Sequence, residues 1–256
     1  MSDGLPALVA SGFRGFTPLH GLSLLVTAAV IVGLVRAGRR AQRRGRERGF
    51  TRGVAAAGLA VFVLQQVHAL GFDWQPRYSL PLHVCDLAGL IGPLALLLRW
   101  RGLRLTLYFW GFGLTVWGVL TPTLAVGPGD VKFWLFWANH GGVLAMAAYD
   151  VAIGGYRPSA RDWGLAVLVS MAYVAVVLPL NLANPGWNYG YVGAGTVDAR
   201  TPLDVLPAWP WRVLWIEAMG AGMMAAAWLP WVVAGRGMRS GDQPLRRCAP
   251  QRRRDA

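Results

Sequence analysis

Residues 17–72 read TPLHGLSLLVTAAVIVGLVRAGRRAQRRGRERGFTRGVAAAGLAVFVLQQVHALGF. Two apolar runs, 17–35 and 53–72, each have the roughly 20 residues that a helix needs to cross a bilayer. Between them, residues 36–52 carry eight arginines. An arginine-rich segment between two such runs is typical of a cytoplasmic loop, although it could also contact anionic headgroups. This stretch therefore predicts two transmembrane helices joined on the cytoplasmic side.

The same pattern continues along the chain and predicts an all-α, polytopic membrane bundle of about seven transmembrane helices. The candidate spans are 17–35, 53–72, 80–98, 103–126, 131–153, 163–182 and 210–234. The composition agrees, since 55% of the residues are hydrophobic and 14% are charged, whereas soluble proteins carry about 25% charged residues. We expect residues 1–235 to form one transmembrane domain and residues 236–256 to form a disordered basic tail.

The basic residues predict the orientation of the bundle. Twenty of the 25 Lys and Arg residues lie in the segments 36–52, 99–104, 154–162 and 235–256, which fall on one side of a seven-span chain. The side rich in Arg is cytoplasmic by the positive-inside rule. We therefore expect a multi-pass protein of the bacterial inner membrane, with its N-terminus outside and its C-terminus in the cytoplasm. The net charge of +13 then reflects topology, and we predict membrane lipids as partners and no nucleic acid.

Polar and ionisable residues gather in the outer half of the predicted spans. With a rise of about 1.5 Å per residue, all four histidines, Cys85 and both of the carboxylates Asp86 and Glu217 fall in that half, and Asp150 lies near the inner end. Such residues usually face the interior of a bundle. The pattern predicts a polar cavity open toward the outer leaflet. The side chains expected to converge there are His68, His83, Asp86, His140 and Glu217.

Cys85 is the candidate nucleophile of this cavity. On an ideal helix it lies about 160° around the axis from His83, so His83 is poorly placed to deprotonate the thiol. A base should therefore come from another helix, with His140 and His68 as candidates. A carboxylate would orient the imidazole, as in catalytic triads. Taken alone, a buried cysteine is more often an inert apolar residue.

The remaining polar residues have both functional and structural interpretations. The predicted catalytic residues are Cys85, His140, Asp86 and Glu217, and the predicted substrate-binding residues are His68, His83, Asn139 and Gln65. A lone His or Gln in a membrane is often an interhelical hydrogen-bond partner, which is the alternative for His20, Gln65 and Gln66. We expect Glu217 to be held by a histidine or by Arg212, because an unpaired carboxylate in hydrocarbon is costly.

Four segments resemble a known family: YSLPLHVCDL (78–87), NHGGVLAMAAYDV (139–151), NYGYV (188–192) and PAWPWRVLWIE (207–217). Together they resemble the YwaF-like family of bacterial integral membrane proteins, which implies seven spans and no particular reaction. The chain is more remotely similar to a vertebrate multi-pass acyltransferase of ether-phospholipid remodelling. That similarity implies an intramembrane cysteine and, two spans later, a histidine, which would be Cys85 and His140.

Three functions compete on these observations. The first is a lipid acyltransferase or lipid-modifying hydrolase with Cys85 as nucleophile and His140 as base. The second is a transporter or binding protein for a small polar solute, although the scarcity of polar residues in the inner half disfavours a transport path. The third is a metal or haem site, which no HxxxH or Cys-x-x-Cys spacing supports. We therefore predict no cofactor and no metal.

Overall fold

The computed structural model describes residues 12–194 and 202–241. Within these ranges the chain is helical, without strands, which confirms the predicted all-α bundle. The helices that form it are α1 Pro18–Arg43, α2 Glu47–Gly71, α3 Val84–Leu98, α4 Arg101–Leu120, α5 Val131–Ala152, α6 Ala160–Ala183 and α7 Trp211–Gly241. Helix α7 continues six residues into the tail that we predicted to be disordered, and residues 242–256 lie outside the described ranges.

The helices form an outer ring around a buried centre. Five helices of the described chain are long and apolar enough to cross a membrane, namely α1, α2, α4, α6 and residues Trp211–Ala234 of α7. Only 6% of the α2 span is buried against protein, whereas 56% of the α4 span is buried. Helix α5 packs against α1, α2, α3 and α4. The apolar faces of the outer helices therefore meet lipid, and α3, α4 and α5 form the core.

The predicted arginine-rich loop is mostly helical. Helix α1 ends at Arg43 and α2 begins at Glu47, so the connection is the turn 44–46 instead of the whole segment 36–52. Gly45 adopts a φ of +66° in this turn, a conformation that glycine accommodates without strain. With 26 residues, α1 is about 39 Å long, longer than the roughly 30 Å hydrocarbon core. The arginines therefore extend beyond the membrane on helical ends.

Two predicted span boundaries are wrong, and a proline lies close to each. The third span was expected from residue 80, but α3 begins at Val84; Pro81 disfavours helical backbone at Leu80, and side chains from other elements bond the Leu80 N–H and the Leu82 carbonyl. The fourth was expected to reach residue 126, but α4 ends at Leu120, two residues before Pro122. Helix α4 also contains a π-helical segment, Trp110–Thr115. The consequence for α3 is that its approach, residues 80–83, is not helical.

Ion pairs join the helices at the arginine-rich end. Arg104 donates through Nε and Nη2 to the carboxylate of Asp150 at 2.8–3.1 Å, and Asp150 is 3% exposed. Arg101 makes a similar two-pronged contact with Asp162 on α6. A planar guanidinium matches a carboxylate in this geometry. Asp150, the carboxylate outside the predicted polar cavity, is therefore a structural ion-pair partner at the opposite end of the bundle.

Candidate functional site

The site is built around the non-helical approach to α3. The backbone N–H of Leu80 donates to the Tyr189 hydroxyl at 3.1 Å, and the Tyr173 hydroxyl donates to the Leu82 carbonyl at 2.6 Å. Backbone polar groups at membrane depth need such partners, because lipid offers none. Two tyrosines therefore stabilise the segment that delivers His83 and Cys85 to the interior. His83 is the N-cap of α3, so our placement of it on a helical face was wrong.

Tyr189 belongs to a loop that folds back into the bundle. Its backbone N–H and carbonyl bond the Asn181 side chain at 3.0 and 2.9 Å, and the tyrosine is fully buried. Two residues on, Tyr191 has a φ of +62°, an uncommon conformation for a residue other than glycine. The rings of Tyr189 and Tyr191 lie 5.0 and 5.9 Å from the His83 imidazole. The loop thus places two phenols against the start of α3.

Both phenols are neutral hydrogen-bonding groups. Burial raises the pKa of Tyr191 to about 12, and the nearby Cys85 and Asp86 act in the same direction. Burial also raises the pKa of Tyr189. A phenol that keeps its proton can donate to an anionic or carbonyl oxygen. The Tyr189 hydroxyl already donates to the Pro76 carbonyl, so the loop places neutral phenols, and no charge, beside the start of α3.

Side chains from five parts of the chain meet at this point. Tyr173 on α6 is close enough to interact electrostatically with Cys85 and Asp86 on α3, with Tyr191 on the loop and with Glu217 on α7. His83 interacts in the same way with His140 on α5. These residues lie far apart in sequence, so their meeting is a property of the fold. It is the arrangement expected of a polar cavity inside a membrane bundle.

Amide side chains from α2 and α5 hold the α3 residues in place. Gln65 Nε2 donates to Asp86 Oδ1 at 2.6 Å, and Asn139 Nδ2 donates to the Cys85 carbonyl at 3.2 Å. Asn139 is 3% exposed, and a Cβ at Gly89 would overlap its Oδ1, so α3 and α5 approach closely only because residue 89 is glycine. Charge-assisted and buried hydrogen bonds of this kind fix side-chain positions.

The His140 imidazole is oriented by its own helix. Its Nδ1 lies 2.9 Å from the Phe136 carbonyl, and the two rings are stacked with centroids 4.1 Å apart. Because a carbonyl can only accept, Nδ1 carries the proton in the neutral ring and Nε2 is the free base. Gly118 on α4 provides the space for Nε2, since a Cβ there would lie 2.8 Å from it. No hydrogen bond joins Cys85 and His140, both of which are described residues.

Thr115, at the end of the π-helical segment, is a site residue that the sequence analysis missed. It is fully buried, and its hydroxyl faces the Cys85 thiol and makes no other hydrogen bond among the described residues. It lies beside the Cys85 side chain. π-Helical turns often occur at functional sites, but the apolar surroundings of Thr115 in the sequence, GFGLTVWG, do not distinguish it. The position of this hydroxyl beside the thiol is therefore known only from the fold.

Three predicted residues behave differently from the rest. His68 makes its ring contact with Phe72 on its own helix, and no described contact joins it to the cluster. His20 is buried with both ring nitrogens bonded, to the Phe16 N–H and the Val119 carbonyl, so its role is structural. The prediction that a histidine or Arg212 holds Glu217 is wrong, because the Glu217 carboxylate has neither a hydrogen bond nor an ion pair within the described residues. Arg212 also leaves its Nε unpaired.

The described residues include no group of three His, Cys, Asp or Glu side chains arranged to hold a metal ion. Fold and site together define a multi-pass helical membrane protein with a polar cluster inside the bundle. The chain belongs to the TMEM164 family, whose sequence profile matches residues 15–228. Neither the curated proteins nor the solved structures compared with this chain include a match.

Proposed function

We propose that this protein is a membrane-embedded lipid acyltransferase, or lipid-modifying hydrolase, with Cys85 as nucleophile and His140 as base. The observation that carries the proposal is the position of Cys85. Its backbone carbonyl is held by Asn139, its side chain lies beside the Thr115 hydroxyl, and the hydroxyls of Tyr173 and Tyr191 lie nearby. A thiol used only for packing would not need polar groups from so many elements around it.

The reaction would proceed in two steps. Cys85 Sγ attacks the acyl carbonyl of a lipid ester while its proton passes to His140 Nε2. The tetrahedral intermediate then breaks the ester C–O bond, and His140 returns the proton to the departing alcohol oxygen. In the second step a hydroxyl of an acceptor lipid attacks the thioester and His140 takes its proton, which then goes to the leaving sulfur. With water as the acceptor, the same sequence is hydrolysis.

The neighbouring residues suit roles around this step. The developing oxyanion needs donors, which Thr115 and His83 can supply, whereas the Asn139 amide already holds the Cys85 carbonyl. The Phe136 carbonyl orients His140 in place of the carboxylate that we expected. Asp86 is held by Gln65, and Glu217 is left open to the substrate. Catalytic contacts are often loose without substrate, so the proposal requires Cys85 and His140 to approach each other on binding.

The packing below the cluster supports an enzyme over a transporter. Leu107, Val143 and Tyr149, which lie toward the arginine-rich end, are 1%, 0% and 1% exposed. A solute path would have to open this layer, which is packed as tightly as a protein core. A site closed on one side and polar on the other suits chemistry on lipids of the outer leaflet. We also propose that the protein lies in a bacterial inner membrane and is related to the YwaF-like family.

Substitution of the two cysteines tests the proposal. Purified protein would be treated with an acyl thioester probe and with phospholipid donors, and acylation would be located by mass spectrometry. We expect Cys85→Ala and Cys85→Ser to lose covalent loading, while Cys248→Ala, in the segment outside the described residues, keeps it. Undiminished loading of Cys85→Ala would rule out Cys85 as the nucleophile.

A second pair of variants tests the environment of the thiol. We expect Thr115→Val, which keeps the shape and removes the hydroxyl, to lower the acylation rate by about 100-fold, the usual cost of losing an oxyanion donor. Thr106→Val is the matched control, because that threonine lies on the same helix, is 5% exposed, and donates to the Gly102 carbonyl. Equal effects of the two substitutions would argue that Thr115 is only structural.

A further inference from the structure

A pocket opens between α6 and α7, directly beside the cluster. Its volume is about 60 Å³, and its lining includes Val84, the residue before Cys85. That volume has room for roughly four to six water-sized groups. Both helices that border the pocket expose apolar side chains, such as Leu168 and Leu214, at 59% and 64%. The pocket therefore adjoins the surface that meets lipid.

The polarity of the pocket changes along its length. At the upper end lie Tyr173 and Glu217, and seven residues further along α7, about 10 Å deeper, lies Met224. The lower walls are apolar, with Val167 from α6 and Leu114 from α4.

The lower wall also contains the Ser170 hydroxyl, which already has hydrogen-bond partners within the protein. Ser170 accepts from Trp110 Nε1 at 3.0 Å and donates to the Ala166 carbonyl at 3.1 Å. A ligand that fills the pocket must therefore be polar at one end and hydrocarbon below.

We propose that this pocket binds the hydrocarbon chain of the acyl group that is presented to Cys85, with Met224 as its floor. The inference rests on the proposed function and specifies how the substrate lies. The chain enters from the bilayer between α6 and α7, its carbonyl remains near Cys85, and its methylene groups descend toward Met224. Met224 is 1% exposed and packs against Gly113 of the π-helical segment, where a Cβ would lie 2.7 Å from its Cγ.

Two glycines of α7 provide a matched pair of probes. Gly220 lines the pocket, and a Cβ there would lie 3.5 Å from Leu114 Cδ2, so Gly220→Leu fills the space. Gly222 has nothing within 4 Å of such a Cβ and faces outward, so Gly222→Leu adds the same side chain toward lipid. Full-length protein would be loaded with an acetyl and a hexanoyl thioester, because a hexanoyl chain matches the four to six groups for which the pocket has room, and the Cys85 adducts would be measured by intact-protein mass spectrometry.

We expect Gly220→Leu to lower the ratio of hexanoyl to acetyl loading by about tenfold or more, since a filled pocket rejects added methylenes to that extent. Gly222→Leu should leave the ratio within about twofold of wild type. Met224→Ala enlarges the pocket, and should raise loading with longer chains several-fold over loading with hexanoyl. Normal acetyl loading shows that a variant is folded. Equal losses for both chains in Gly220→Leu, or an unchanged chain-length preference in both Gly220→Leu and Met224→Ala, would overturn the proposal.

A cross-linking experiment tests the pocket separately from the proposed reaction at Cys85. In Cys85→Ala protein, a phospholipid with a diazirine a few carbons beyond its acyl carbonyl should cross-link to the lower walls, at Val167 and Leu114. The cross-link should be lost in Gly220→Leu and kept in Gly222→Leu. Cross-links without Cys85-dependent loading would refute the proposed nucleophile while supporting the pocket. Loading without those cross-links would refute the pocket alone.

Discussion

Replacing Tyr189 with phenylalanine isolates the contribution of the loop to the position of Cys85. The Tyr189 hydroxyl accepts from the Leu80 N–H and donates to the Pro76 carbonyl at 2.6 Å. Pro76 is exposed, so its carbonyl can turn to water, whereas Leu80 is partly buried. The cost is therefore that of one orphaned backbone donor, about 1–3 kcal/mol. At tenfold per 1.4 kcal/mol, local opening at Leu80 should rise by about 5- to 150-fold.

Hydrogen exchange measured by mass spectrometry on the peptide containing Leu80 reports this opening. The modification rate of the Cys85 thiol by a maleimide should rise in parallel, because the same segment positions both residues. Tyr78→Phe serves as the control, since Tyr78 is 39% exposed and its hydroxyl bonds no other described residue. Exchange at Leu80 within twofold of wild type in Tyr189→Phe would refute the idea that the loop holds the approach to α3.

Three further predictions concern other parts of the molecule. Arg104→Ala should destabilise the fold by about 3–5 kcal/mol, because it strands the buried Asp150 carboxylate, and a thermal-unfolding series with the double variant Arg104→Met, Asp150→Leu should show most of the loss restored. Glu217→Gln should leave the amount of folded protein unchanged, because no partner is lost, while lowering acylation; an equal fall in both would make its role structural. In intact cells, an impermeant thiol reagent should label Gly195→Cys, outside the described residues, and should not label Ser240→Cys; the reverse pattern would contradict the orientation.

The membrane bundle could be predicted because it depends on local composition. Apolar runs of the right length and blocks of arginine are properties of neighbouring residues, and both survive in the fold. The depth predicted for Cys85 and Asp86 assumed a helix from residue 80, whereas α3 begins at Val84. The end of α4 could have been predicted better, since Pro122 restricts the residue before it.

The contacts within the site could not be predicted, because they depend on residues distant in sequence. Tyr189 lies 109 residues from the Leu80 N–H that it accepts. The π-helical segment that carries Thr115 follows from packing between helices, which no local pattern specifies. The missing partner of Glu217 has the same origin, since Arg212 is near it in sequence but does not reach it. Local patterns therefore locate the cluster, and tertiary contacts decide the role of each member.

The shortness of α3 has a consequence for how the protein is made. Its 15 residues cover about 22 Å, less than the roughly 30 Å of hydrocarbon, and the backbone before it depends on Tyr173 and Tyr189. When the ribosome has just released α3, neither tyrosine has been synthesised. This segment is therefore costly to leave in lipid until α6 and the following loop arrive. Nascent chains truncated before residue 173 should keep α3 within the insertion machinery, and chains extended past residue 191 should release it.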